Sequence, residues 1–142
     1  VPVGVAFALA DLFAAIAYRL DKRHREVARD NVRHAFPALD AAAVDRLVRG
    51  CYRHFCGLAV EIALLPRKLR LHNYRSFADP VGAARFVPLL LTDRPVLMVN
   101  AHFGNWELAG YALGAMGFRT HAIARVLDNP HLERWLKRFR QA

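Results

Sequence analysis

The chain has 142 residues, 55% hydrophobic and 23% charged, so it can bury a core and is neither a disordered tract nor a low-complexity repeat. Its 21 Lys and Arg exceed its 12 Asp and Glu, a net charge of +9. That excess fits an anionic partner: nucleic acid, an acidic membrane surface, a phosphorylated lipid or an acidic carrier protein. Two cysteines exclude a disulfide-built scaffold.

The opening stretch, Val1 to Leu20, is apolar apart from Asp11 and Arg19, and is followed by Lys22, Arg23, Arg25 and Arg29. A basic collar on that side fits the tail of a membrane anchor or a helix in the interface; Asp11 fits a core helix of a soluble domain. A cleaved signal peptide does not fit, because there the charge precedes the apolar run. After Pro37, Asp40 caps a predicted helix that reaches Leu65 and is ended by Pro66. Val44, Leu47, Val48, Cys51, Phe55, Leu58, Ala59, Ile62 and Leu65 recur at three and four, so one face is buried. Arg46, Arg49 and Arg53 line the outside, as a solvated row or as a docking edge for a carrier protein. Cys51 and Cys56, five residues apart on that helix, have Cα atoms roughly 8 to 9 Å apart, beyond disulfide reach. Both are expected to be reduced and at or near the core.

The segment from Arg67 to Pro80 is basic, then irregular or strand-like, and Asp79-Pro80 marks a turn. A short helix around Val81 to Leu91 is shortened or kinked by Pro88. Pro95 to Ala101, rich in Val, Leu and Met, reads as a buried strand, and Trp106 to Met116 as a helix. His102 then stands at the carboxyl end of the strand. Glu107 falls in the first turn of the helix, with Asn105 as N-cap and Gly104 freeing the tight connection. Such strand-to-helix corners are where open α/β sheets bind ligands, and helix amides there stabilise developing negative charge.

An imidazole held by a carboxylate can take a proton from a hydroxyl near neutral pH, which makes His102 and Glu107 a candidate catalytic pair. The plainer reading of the two residues is a surface His and a Glu placed by the helix dipole. Thr120 to Ala124 reads as a second strand, ending at Arg125. The last segment carries Leu132, Trp135, Leu136 and Phe139 on one side, with Arg134, Lys137, Arg138 and Arg140 around the rest. That spacing describes a core-packed or interfacial helix rather than a stacking platform for nucleic acid. No phosphate loop, G-x-G-x-x-G or H-E-x-x-H is present, and the seven His are scattered, so no nucleotide or metal site is expected.

The string HFGNWE at 102–107, with NVRHAFP at 31–37 and ARVLDNP at 124–130, resembles the lipid A biosynthesis acyltransferase family. These late lauroyl and myristoyl transferases are part of the lysophospholipid acyltransferase-like group, and the similarity runs from about Tyr18 to about Phe139. The family's H-x-x-x-x-[D/E] motif is met by His102 and Glu107. The resemblance implies an O-acyltransferase that needs no cofactor and works at the cytoplasmic face of the inner membrane. It would move a fatty acyl group from acyl carrier protein or acyl-CoA to a hydroxyl of a lipid A precursor, another glycolipid or a lysophospholipid. His102 would be the general base and Glu107 its support, while Gly104, Asn105, Arg125 and Asn129 would bind substrate, Arg125 by holding a charged group. No nucleic acid partner is implied.

The implied fold is α/β, with N-terminal helices followed by the start of an αβα sheet. Residues 1–35 would form a membrane-proximal helical segment and residues 36–142 the first half of an acyltransferase domain. With no initiator Met and only two parallel-type strands, the chain is expected to be the amino-terminal half of an enzyme about twice as long. A reading from another class is a non-catalytic basic helical module that binds anionic membrane or nucleic acid.

Overall fold

A computed structural model describes residues 2–70, 72–76, 81–92 and 94–141. Its regular elements in chain order are α1 (Val3–Leu20), α2 (Lys22–Ala35), α3 (Ala41–Lys68), a 3-10 turn at Tyr74–Ser76, α4 (Ala83–Leu90), α5 (Trp106–Ala115) and α6 (Pro130–Gln141). Among the described residues there is no strand. The α/β expectation is therefore corrected to an all-helical architecture. Both expected strands, 95–101 and 120–124, are irregular and exposed, with Leu97 at 85% and Ile123 at 104% of full accessibility. A run of Val, Leu and Met becomes a strand only where a neighbouring backbone takes up its N–H and C=O groups, and none does so here.

The chain forms two compact units, Val1–Ala63 and Leu64–Ala142, the boundary falling within α3. In the first, Asp21 separates α1 from α2: its side chain accepts from the His24 amide at 3.2 Å and so caps α2. Residues 22–35, although densely charged, form a helix of their own. Asp40 caps α3 as expected, accepting from the Ala43 amide at 2.6 Å. Tyr18, Val44 and Val48 form the core, with Ala28, Val32 and Tyr52 packed around them, so all three helices contribute.

Two of the three outer arginines of α3 are not simply solvated. Arg49 lies 4.1 Å over the Tyr18 ring and donates to Asp45 at 2.8 Å; Arg53 grips Asp11 at 3.0 and 2.8 Å. Tyr18 Oη and Arg29 also donate to Asp45, so one carboxylate ties all three helices together. Both cysteines are free thiols; Cys51 is exposed, not core, and Cys56 is half-buried.

In the second unit α3 continues past Pro66 to Lys68 instead of stopping at Leu65. Proline removes one backbone donor, but Leu65 and Leu69 are buried and the Leu69 amide still reaches the Leu65 carbonyl at 2.9 Å. The 3-10 turn lies in the segment expected to be irregular or strand-like, and the Asp79-Pro80 turn lies outside the described residues. Pro88 sits inside α4, which ends two residues later. The helices α5 and α6 meet through Tyr111 and Phe139, whose rings stack at 5.3 Å, beside buried Ala112 and Leu113.

Candidate active site

The corner from His102 to Glu107 begins as irregular backbone and turns into α5. Gly104 has φ +59°, a conformation that costs an L side chain energy, and Asn105 follows as the N-cap, accepting from the Leu108 amide at 3.0 Å. The glycine turn and the Asn105 cap are those the sequence suggested, but the strand expected to end at His102 is absent, so the corner is loop-to-helix and not strand-to-helix. The cap also takes up one first-turn amide that would otherwise be open to an oxyanion.

His102 is exposed, and its imidazole packs on the Trp106 indole with ring centroids 4.6 Å apart. Glu107, one residue on, is 8% exposed and is the buried charged residue of the described chain. Its carboxylate makes no hydrogen bond to His102. Arg140 of α6 holds it with both ends of the guanidinium, Nη2 to Oε1 at 2.5 Å and Nε to Oε2 at 3.1 Å. Trp106 Nε1 donates to the same Oε1 at 3.2 Å. The path from imidazole to carboxylate therefore runs through an indole: imidazole on ring, ring N–H to carboxylate, carboxylate to guanidinium. The bond to Glu107 also raises the Arg140 pKa above its ordinary value.

The remaining expected site residues are spread along the segment before α6. Arg125 is exposed and pairs with Asp128 at 3.3 Å. Asn129 serves as a cap, its Oδ1 accepting from the His131 amide at 2.9 Å and the Leu132 amide at 3.2 Å. Just before it, the Leu127 amide donates to Glu133 Oε2 at 2.9 Å. That bond is the main reason the Glu133 pKa is lowered, with Lys137 helping at 3.1 Å. Thus α6 ties down the Arg125 segment through Glu133 and Glu107 through Arg140. Sequence reasoning missed both residues, since Arg140 is one of several basic residues around α6 and Glu133 has the spacing of an ordinary helix pair with Lys137.

A groove of about 310 Å³ lies in the first unit between α2 and α3, lined by Val27, Ala28, Cys51, Tyr52 and Phe55 among others. It contains none of the expected site residues. The helix α1 is, among the described residues, long and apolar enough by length and composition to cross a membrane.

A comparison with protein families matches the chain to bacterial lipid A biosynthesis acyltransferase over residues 1–142. The chain belongs to this family. No curated protein and no solved structure matches it. Membership in the lipid A acyltransferase family makes the reaction class acyl transfer. It also supplies the context in which an exposed imidazole, five residues before a buried and bidentately held carboxylate, is worth reading as a candidate catalytic corner.

Proposed function

We propose that this acyltransferase uses His102 as general base to move a fatty acyl group from a thioester to a hydroxyl of a lipid A precursor or similar glycolipid. The observation that carries the reading is the 102–107 corner: an accessible imidazole packs on Trp106, and a buried carboxylate five residues on is held by Arg140 and by the Trp106 indole N–H. In the step proposed, the acceptor O–H gives its proton to the imidazole while its oxygen attacks the thioester carbonyl. The C–S bond then breaks, the imidazolium returns the proton to the departing thiolate, and an ester and a free thiol result. Glu107 favours the transient imidazolium electrostatically, through the indole that lies between them.

Arg125 suits a phosphate or carboxylate group of donor or acceptor, because its pairing with Asp128 is fully solvated and readily exchanged. Asn129 supports that segment as a cap, and Gly104 lets the corner bend. The second unit carries 12 Lys and Arg against 5 Asp and Glu, which favours an acidic carrier protein as donor and the anionic cytoplasmic face of the inner membrane as the place of work.

The test is acyl transfer by the protein in membranes, from labelled acyl carrier protein or acyl-CoA to a panel of lipid A precursor, other glycolipid and lysophospholipid acceptors. Transfer to one acceptor that is lost in both His102→Ala and Glu107→Ala supports the reading and names the substrate. Transfer that survives His102→Ala refutes the assignment of the base.

A further inference from the structure

The exposed side of α1 has a one-sided pattern. Val5, Leu9, Leu12, Ile16 and Leu20 recur at four, three, four and four, with Phe13 beside them, and all six are exposed. They form one apolar stripe at the helical period, roughly opposite the stripe of buried Ala10, Ala14 and Tyr18. A contiguous apolar face of this size on a soluble surface marks an interaction site.

The other side of α1 is occupied by α3, which runs antiparallel to it. Tyr18 bonds Asp45, Asp11 pairs with Arg53, and a Cβ at Gly57 would meet the Phe7 ring at 3.7 Å. Over this stretch α3 carries Asp45, Arg46, Arg49 and Arg53. If α1 crossed a bilayer, α3 would enter the hydrocarbon beside it and bring those charges along. The Asp11–Arg53 pair, more than half exposed on both side chains, would sit at the bilayer centre, because Asp11 is at the middle of an 18-residue helix. Length and composition alone permit a span; the packing opposes it.

We propose that α1 lies in the plane of an anionic membrane surface, its apolar stripe sunk among the upper acyl chains, and does not cross the bilayer. The inference rests on the membrane-surface reading above and says how that surface is met. Exposed Arg19, at the edge of the stripe, with Lys22 and Arg23 just beyond it, would lie among the headgroups, where a basic rim is attracted to anionic lipid. The Asp11–Arg53 pair, on the side of α1 turned away from the stripe, would then stay at the level of water.

The experiment places single spin labels at Val5→Cys, Leu12→Cys and Leu20→Cys in a Cys51→Ser, Cys56→Ser background. Their depth is read in phosphatidylcholine vesicles with and without phosphatidylglycerol. The expected result is one shared shallow depth for all three labels, with tighter binding when phosphatidylglycerol is present. Leu12→Glu with Phe13→Glu should weaken vesicle binding roughly tenfold or more without loss of helix content. A label at 12 that lies deepest, with those at 5 and 20 rising toward opposite faces, would overturn the proposal in favour of a span. Labels that remain fully accessible to water would overturn it in favour of a soluble helix. Acyl transfer by His102→Ala, measured on the same vesicles, decides the catalytic reading separately, since that variant leaves α1 unchanged.

Discussion

The two compact units use charge in opposite ways. In the first, 9 Lys and Arg face 7 Asp and Glu, and the acids are built into the packing: Asp45 joins three helices, Asp11 clamps α1 to α3, and Asp21 and Asp40 cap helices. In the second, basic residues exceed acidic ones by more than two to one, and large apolar side chains such as Leu97, Val99 and Phe103 stand in the open. Its one buried acid among the described residues, Glu107, belongs to the candidate site. The first unit thus spends its polar groups on holding helices together, while the second keeps a cation-rich surface and a single protected carboxylate. A scaffold and a reaction centre would differ in this way.

The largest effect should come from the proposed base. In His102→Ala, transfer is expected to fall by about a thousandfold, within the usual range for a general base, while the thermal unfolding of the protein stays nearly unchanged because the side chain is exposed. A large loss of stability instead would make His102 a packing residue and remove the contrast between the units.

Next in size is Arg140→Gln. Glu107 is 9% exposed at its side chain and Arg140 34%, so the change leaves a nearly buried carboxylate without its counter-ion. A fully buried pair broken in this way costs about 3 to 5 kcal/mol. With one partner a third exposed, about 2 kcal/mol is expected, read as faster hydrogen exchange in α5 and α6 with α1 and α2 unaffected. Activity should fall as well, since Glu107 and Trp106 lose their anchor. Arg140→Lys should recover part of the stability, since it keeps the charge but not the two-pronged grip.

The charge network of the first unit predicts a pH dependence. The Asp45 carboxyl is held well below the usual carboxylate range, first by the bond from Arg29, then by Tyr18 and Arg49. A carboxyl depressed in the folded state stabilises it fully above its unfolded value, near pH 4, and loses that contribution as pH falls through and below that value. Stability of the α1–α3 unit should therefore drop on acidification from about pH 4 downward. Asp45→Asn should remove part of that slope and cost about 1 to 2 kcal/mol at neutral pH, followed by urea unfolding across pH. An unchanged acid limb in this variant would show that Asp45 does not bind the helices together.

What could be read in the sequence was what neighbouring residues decide. Asp40 and Asn105 were identifiable as caps because a cap contacts an amide three residues on, and both make that bond. The apolar period placed α3 and α5 for the same reason. Pairing was not readable: Pro95 to Ala101 has the composition of a strand, but composition does not supply the adjacent backbone a strand needs. Nor was the support of the site, because Glu107 and Arg140 are 33 positions apart and nothing local distinguishes Arg140 from Arg134 or Arg138. The candidate residues were named from the sequence, and the orientation of Glu107 toward Arg140 came only from the structure.

The smallest effect tests the corner itself. At Gly104, with φ +59°, a Cβ would meet nothing within 4 Å, so Gly104→Ala carries only the conformational penalty, about 1 kcal/mol. At Gly110, inside α5 and equally uncrowded, Gly110→Ala should have the opposite sign and stabilise by about 0.5 to 1 kcal/mol, since alanine is the better helix former. Both positions lie within ten residues of His102, so a general sensitivity of this region would move them in the same direction. Opposite shifts in melting temperature, with transfer reduced only by Gly104→Ala, would show that the left-handed turn before Asn105 sets the position of His102. Equal shifts would mean that the turn relaxes when glycine is lost, and that the imidazole is held by Trp106 alone.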